Sequence, residues 1–286
     1  MKLSEYLKTK YSKASLTSYQ NMINRYLAFT VNAERANYND VVCYIKYLRK
    51  KGNHPKTVRN NLFAVKIYYN YLVEIGKRKD HPCSELNLKD NINRSIPIEE
   101  LYKKEELEKL LENCKTRKRN LLNRNKVIIS LLIYQALTVL EISQLNINDI
   151  NLEEGIIKIK GNVKNNGRTL SLKTNQIMLL HRYITESRTK LLNKKNEEKS
   201  LIISSTGERI KPHSISRQIN TNLPENKKMT PIKIRQSVIA NLLKSGNELR
   251  IVQVFAGHKR ASSTEAYRQT GLEELKTAIT KHHPLQ

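Results

Sequence analysis

The stretch KRKDHPCSELNLKDNINRSIP, residues 77–97, shows neither helical nor strand periodicity and divides the chain in two. The part before it reads as helix alone. The part after it mixes helices with a short hairpin. Such a chain is expected to fold as two bodies with separate cores, and its 286 residues suffice for that. The expected boundaries are 1–76 for the first body, 77–97 for the connector and 98–286 for the second.

Leu16, Tyr19, Ile23, Tyr26 and Leu27 recur at helical spacing, which predicts a helix over 15–29. Asn39 or Asp40 is the expected N-cap of a second helix, about Val41 to Leu48. After the loop KKGNHP, a helix from Thr57 to Gly76 is the clearest of all, with Thr57 as cap and Gly76 as stop. Its expected buried stripe is Val58, Leu62, Val65, Tyr69 and Leu72. In the second body, helices are expected over 104–114 and 125–137, the latter buried on most sides. Thr138 then caps a helix reaching Leu145. GIIKIK at 155–160 and RTLSL at 168–172, joined by the polar GNVKNNG, predict a β-hairpin. LIIS from Leu201 is a third short apolar run, and helices resume near His213, Ile232, Leu249 and Leu272. The fold class is mainly α, with a small antiparallel β-sheet in the second body.

Charge says what such a protein meets. Lys and Arg number 52 against 26 Asp and Glu, a net charge of +26. Residues 1–88 carry a balance of +10 and residues 89–286 one of +16, so the excess is no single tail. Both bodies would be drawn to a polyanion, and nucleic acid is the leading candidate. Cys43, Cys83 and Cys114 match no zinc spacing and suit reduced thiols, so no metal site is expected. The start MKLSEYLKTKYSK has no signal-peptide run, and no segment nears the roughly 18 apolar residues of a membrane span. A cytoplasmic protein without membrane contact is expected.

LLKSGNELRIVQVFAGHKRASSTEAYRQT, residues 242–270, resembles the active-site end of the tyrosine recombinases, the phage integrase family. Gly257-His258 stands for the family's "GH" turn, and Tyr267 follows the histidine by nine residues, as the family tyrosine does. TPIKIRQSVIANLL resembles the "H-x-L-R-H" helix, with Arg235 at the arginine. TVLEISQLNINDINLEEGIIKI is similar to "TGLRISEL…DID…I.I", and LKTAITKHHPLQ to the last helix of the Xer branch. LTSYQNMINRYLAF and KTVRNNLFAVKIYYNYLVEIGK look like the helical core-binding domain. The resemblance therefore runs over nearly the whole chain, in the family's order.

It implies a helical core-binding domain followed by a catalytic domain that cuts and rejoins DNA through a 3′-phosphotyrosine. Tyr267 would be the nucleophile. Arg235 would clamp the phosphate, since a guanidinium stays charged and can bind two oxygens. His258 would be a phosphate donor or acid/base partner. Lys164, at the hairpin tip, would protonate the leaving oxygen; strict counting lands on Asn162, and Lys160 is also near. The bond energy is conserved, so no cofactor is implied.

Several family positions are substituted. The first catalytic arginine falls on Glu141, whose T-x-x-E spacing from Thr138 also fits a helix capping box. The two histidines of "H-x-L-R-H" fall on Ile232 and Gln236. Losing one oxyanion donor commonly costs roughly 3–4 kcal/mol, on the order of a hundredfold to a thousandfold in rate. Two readings therefore stand: an active recombinase of a mobile element, plasmid or phage, and a catalytically impaired DNA-binding relative. In either, Lys50, Lys51, Lys56 and Arg59 beside the third helix, and Lys77, Arg78 and Lys79 after it, are expected on double-stranded DNA. The segment 272–284 would dock on a neighbouring subunit, giving a tetramer on two DNA sites.

Overall fold

The computed structural model describes residues 1–90, 96–116, 118–192, 198–220 and 228–267. It divides into two compact units, Met1–Arg94 and Ser95–Gln286.

The first unit holds α1 (Leu3–Lys10), α2 (Lys13–Phe29), α3 (Tyr38–Lys50) and α4 (Pro55–Glu74). All five residues of the expected α4 stripe are buried, joined by Asn61, Ala64, Ile67 and Tyr68. The core is rich in tyrosine, and each buried phenol needs a partner. Tyr26 and Tyr69 share a hydroxyl hydrogen bond, Tyr69 donates to the Ala33 carbonyl at 3.0 Å, and Tyr44 donates to Asn61 Oδ1 at 3.2 Å. Two caps differ from expectation. Asn37, not Asn39 or Asp40, starts α3: it accepts from Asp40 N–H while the Asp40 carboxylate accepts from Asn37 N–H. His54 caps α4 because Pro55 supplies a first position that needs no donor, which leaves Thr57 inside the helix. Gly76 does stop the helix, at φ 72°.

Residues 77–90, expected as connector, lie against this unit. Cys83 is buried, Leu86 and Leu88 cover the core, and Arg49 grips Asp90 at 2.8 and 2.9 Å.

The second unit is built around α6 (Leu122–Gln135), whose Val127, Ile128, Ile129, Leu131, Leu132 and Ile133 are all buried. Around it lie α5 (Lys104–Glu112) and α7 (Val139–Gln144), with the latter followed by a sheet ordered β1 (Ile150–Asn151), β2 (Ile156–Ile159), β3 (Arg168–Ser171). Both pairings are antiparallel, with Ile157 opposite Leu170 and Ile159 opposite Arg168. The hairpin occupies its expected place, and β1 is an added edge. Next come α8 (Thr174–Arg182), a π-helical turn over Tyr183–Arg188, and α9 (Thr189–Leu191). The LIIS run is buried but makes only an isolated bridge, Ile203 with Arg209. Then α10 (Pro212–Ile219), α11 (Pro231–Lys244) and α12 (Leu249–Ala256) appear, with a last helical stretch over 262–267. The helix expected near Leu272 lies outside the described residues. So does the segment 272–284 expected to dock on a neighbour.

Candidate active site

Two helix ends make the site. α6 stops at Ala136, which is left-handed at φ 49°, and α12 stops before Gly257, left-handed at φ 70°. Each leaves carbonyls that no helical N–H can reach. Arg235, from α11, uses both: Nη1 donates to the Ala136 carbonyl, and Nη2 donates to that of Ala256 at 2.6 Å. The negative ends of two helix dipoles thus hold one guanidinium. Burial pulls the Arg235 pKa below its ordinary value, Glu141 resists and Arg168 adds to the drop, but an arginine remains charged.

Gly257 is fixed by geometry as well as by its φ. A Cβ there would lie 2.6 Å from Arg168 Nη1 and 3.0 Å from the Asn166 carbonyl oxygen. His258 comes next, with Nδ1 2.8 Å from Thr264 Oγ1. Burial pushes its imidazole down to about 4, with the charges of Arg235 and Arg168 adding to the effect.

Tyr267 is buried beside Ile96, Ile239, Val252 and Ala256. Burial raises its phenol pKa, and the Arg235 charge opposes that rise, so ring and guanidinium sit within electrostatic reach. The structure therefore brings Tyr267, Arg235 and His258 into one neighbourhood.

Glu141 lies inside this neighbourhood, and it does form the capping box. Oε2 accepts from Thr138 N–H at 2.8 Å and from its hydroxyl at 2.9 Å, while Thr138 Oγ1 accepts from Glu141 N–H. Its other oxygen accepts from Arg168 Nη1 at 2.7 Å and Asn165 Nδ2 at 3.2 Å. Burial raises the carboxyl pKa, but the Arg168 bond and charge, Thr138 N–H and Arg235 outweigh it, and the group stays below its ordinary value.

Arg168 is the residue that the motif comparison misses, since it matches no family position quoted above. Its placement is legible all the same: RTLSL alternates, so Arg168 shares the inward face with Leu170. A guanidinium there signals a buried counter-charge.

The hairpin tip is docked on the site. Asn162 Oδ1 accepts from Lys164 N–H and Asn165 N–H at 2.8 and 2.9 Å, making Asn162 a turn former. Asn166 N–H donates to the Gly257 carbonyl at 2.8 Å. Lys164 is exposed in this turn, whereas Lys160 faces Asp149 at 3.5 Å. Ile232 is 72% exposed and Gln236 half-buried, so the two substituted histidine positions point into different surroundings.

The cations expected on DNA fall into two groups, at opposite ends of α4, a helix spanning about 30 Å. Lys50, Lys51 and Lys56 are exposed at its start, where Arg59 instead donates to the carbonyls of Leu88 and Asp90. At its end Lys79 is exposed and Lys77 pairs with Glu34 at 2.8 Å. Arg78 lies over the Tyr69 ring and bonds Asp80, Glu34 and Ala36. Among the described residues there is no cluster of three His, Cys, Asp or Glu able to hold a metal, and no helix long and apolar enough to cross a membrane.

Residues 100–273 match the Phage integrase family, and residues 2–76 match the Phage integrase, N-terminal SAM-like domain. The chain belongs to the phage integrase family. Among its relatives, tyrosine recombinase XerD of Oceanobacillus iheyensis is 25% identical, covering 96% of this chain and 93% of its own. Tyrosine recombinase XerC of the same organism is 28% identical over 86% of this chain and 81% of its own. In fold, the chain resembles the XerH site-specific recombinase bound to a palindromic difH substrate, with TM-score 0.69 and 21% identity over 93% of this chain and 79% of that one. It also resembles a lambda integrase (75–356) dimer bound to a COC′ core site, with TM-score 0.67 and 12% identity over 93% of this chain and 92% of that one.

Proposed function

We propose that this phage integrase family member is a site-specific DNA recombinase in which Tyr267 attacks the backbone phosphate. The observation that carries this reading is that Tyr267, Arg235 and His258 meet around Ala256: Tyr267 shares its buried cluster, Arg235 holds its carbonyl, and His258 follows it by two residues. Arg235 is pinned by two carbonyls and needs little reorganisation to meet developing negative charge. His258 is neutral at neutral pH. In the tautomer whose Nδ1 accepts the Thr264 hydroxyl proton, Nε2 carries the ring N–H and can donate to a phosphate oxygen. Lys164 is the acid for the leaving 5′ oxygen. The attack forms the bond from the Tyr267 oxygen to phosphorus and breaks that to the 5′ oxygen; the free hydroxyl of another strand later reverses it. The exposed lysines, Lys50, Lys51 and Lys56 at the start of α4 and Lys79 after it, contact phosphates and position the duplex.

The same reading has the protein act in the cytoplasm on double-stranded DNA, as a tetramer joining two sites through the segment 272–284. A hollow of about 280 Å³, lined by the apolar Leu107, Ile133, Val238, Leu242 and Phe255 together with Lys104, Glu108 and Lys173, could take such a segment. Integration, excision and resolution share this chemistry. A second reading, a DNA-binding relative without turnover, is favoured by the carboxylate of Glu141 at the first arginine position and by the apolar Ile232.

A duplex carrying the repeats that flank the coding element, nicked beside the scissile phosphate, separates the two. A covalent protein–DNA adduct that vanishes in Tyr267→Phe, with DNA binding unchanged, supports the recombinase. Tight binding without adduct supports the relative.

A further inference from the structure

Arg168 and Glu141 form an ion pair with almost no water around it: their side chains are 2% and 1% exposed. Nη1 donates to Oε1 at 2.7 Å, and Nη2 reaches Oε2 at 3.5 Å. Arg235 approaches the same carboxylate, with Nη1 3.9 Å from Oε2. One buried anion thus lies between two guanidiniums, hydrogen-bonded to one and in a longer ion pair, without a hydrogen bond, with the other.

What keeps Arg235 at that distance is occupancy. An ionised carboxylate offers about four lone-pair sites. Here five donors face them: the Thr138 N–H, the Thr138 hydroxyl and, more distantly, Arg168 Nη2 on Oε2, and Arg168 Nη1 and Asn165 Nδ2 on Oε1. Arg235 makes its hydrogen bonds to Ala136 and Ala256 instead. Without Arg168, Glu141 would be a buried charge short of its cation, a costly state. Arg235 would be the nearest remedy, and closing a 3.9 Å gap asks for only a small side-chain shift.

We propose that Arg168 is a positioning residue for DNA cleavage: by holding Glu141, it keeps that carboxylate from hydrogen-bonding Arg235 and leaves the Arg235 guanidinium to the phosphate. This rests on the reading that Arg235 clamps the scissile phosphate. Charge gives the same answer as geometry. Arg168 and Glu141 cancel, so these three side chains together retain the single positive charge of Arg235 despite a carboxylate at the position where the family carries a cation. Two details fit. Arg168 Nε is buried with no hydrogen-bond partner, so the guanidinium is aimed at Glu141 at the expense of its own satisfaction. Gly257 leaves the space for it, since a Cβ there would lie 2.6 Å from Nη1.

The test compares Arg168→Gln, Glu141→Gln and the double variant with the wild type. One measurement is the rate of covalent adduct formation on the nicked duplex. The other is the titration of the His258 ring by NMR in the DNA-free protein, which needs no turnover. Arg168→Gln is expected to slow adduct formation on the order of a hundredfold or more, because Arg235 is drawn onto Glu141. His258 should titrate higher in it than in the wild type, having lost one neighbouring cation and had the other neutralised. The double variant buries no unpaired charge, so it folds even where the single variant does not. It should recover the rate to within about tenfold and return His258 toward its wild-type value. A folded Arg168→Gln at full rate overturns the proposal. So does a double variant as slow as Arg168→Gln, which would mean that Arg168 acts on the phosphate itself. If the wild type forms no adduct, the functional reading falls. His258 then decides the positioning alone: a shift in the single variant that reverses in the double supports it, and an unmoved His258 overturns it.

Discussion

Acidifying the DNA-free protein from about pH 7 to about pH 5 should remove about 2 kcal/mol of folding stability through His258 alone. The imidazole sits at about 4 in the folded chain because burial, then Arg235, then Arg168 disfavour its charged form. In the unfolded chain it returns to about 6.5. The folded value is the lower one. Between the two, the unfolded chain binds a proton that the folded chain refuses, so stability falls as pH falls. The contribution is complete above the unfolded value and exhausted below the folded one, about 3 kcal/mol over the whole window. The chain has no tryptophan, so the assay is urea unfolding followed by helical circular dichroism, on wild type and His258→Gln at both pH values. Other groups titrate over this range in both proteins, and the comparison subtracts them. Wild type should lose about 2 kcal/mol more than His258→Gln on acidification. Parallel losses would refute the argument that His258 is held neutral by burial and two nearby guanidiniums. A phosphate bound at the site should raise the His258 pKa, since it adds the charge that the guanidiniums now lack.

Three further outcomes are expected. Thr138→Ala removes the hydroxyl that both caps α7 and donates to Glu141, and should cost about 1–2 kcal/mol in thermal or urea unfolding. Gly257→Ala should cost about 1–3 kcal/mol from its φ of 70° alone, and should slow adduct formation by pushing Arg168 from its place; a variant as stable and fast as wild type would contradict both effects. DNA binding should weaken steeply with salt in a plot of log affinity against log concentration, and replacing Lys50, Lys51 and Lys56 together should flatten the slope by about 3.

The helices are legible in sequence wherever one face is apolar and a cap is local. The α4 stripe and the Thr138–Glu141 box need only spacing. Cap positions fail where neighbours compete for one role, as at Asn37 against Asn39 and Asp40. The connector escapes a reading by periodicity because KRKDHPCSELNLKD has none. A segment needs no period to be held when Cys83, Leu86 and Leu88 bury and Arg49 grips Asp90. Arg78 reads as a free cation in sequence, yet backbone carbonyls and the Tyr69 ring occupy it, and only tertiary structure supplies those partners.

Glu141 shows why substituted positions resist reading one at a time. By itself it has two meanings, a cap or a misplaced charge, and the structure gives it both. It closes the capping box and also places an anion beside Arg235. The resolution lies 27 residues away in sequence, at Arg168, and depends on the register that sets Ile159 opposite Arg168 and turns the guanidinium inward. A slip of one residue would put Arg168 in water and leave Glu141 to Arg235. A bound phosphate responds to the field at its own position, whichever backbone position supplies the charges. Setting a carboxylate on α7 and an arginine on β3 cancels one charge with the other, so the phosphate meets the field of Arg235, one positive charge fewer than an arginine on α7 would give. The inward arginine of an alternating strand is the sequence signal for such an exchange, and it becomes informative only when read together with the carboxylate it must neutralise.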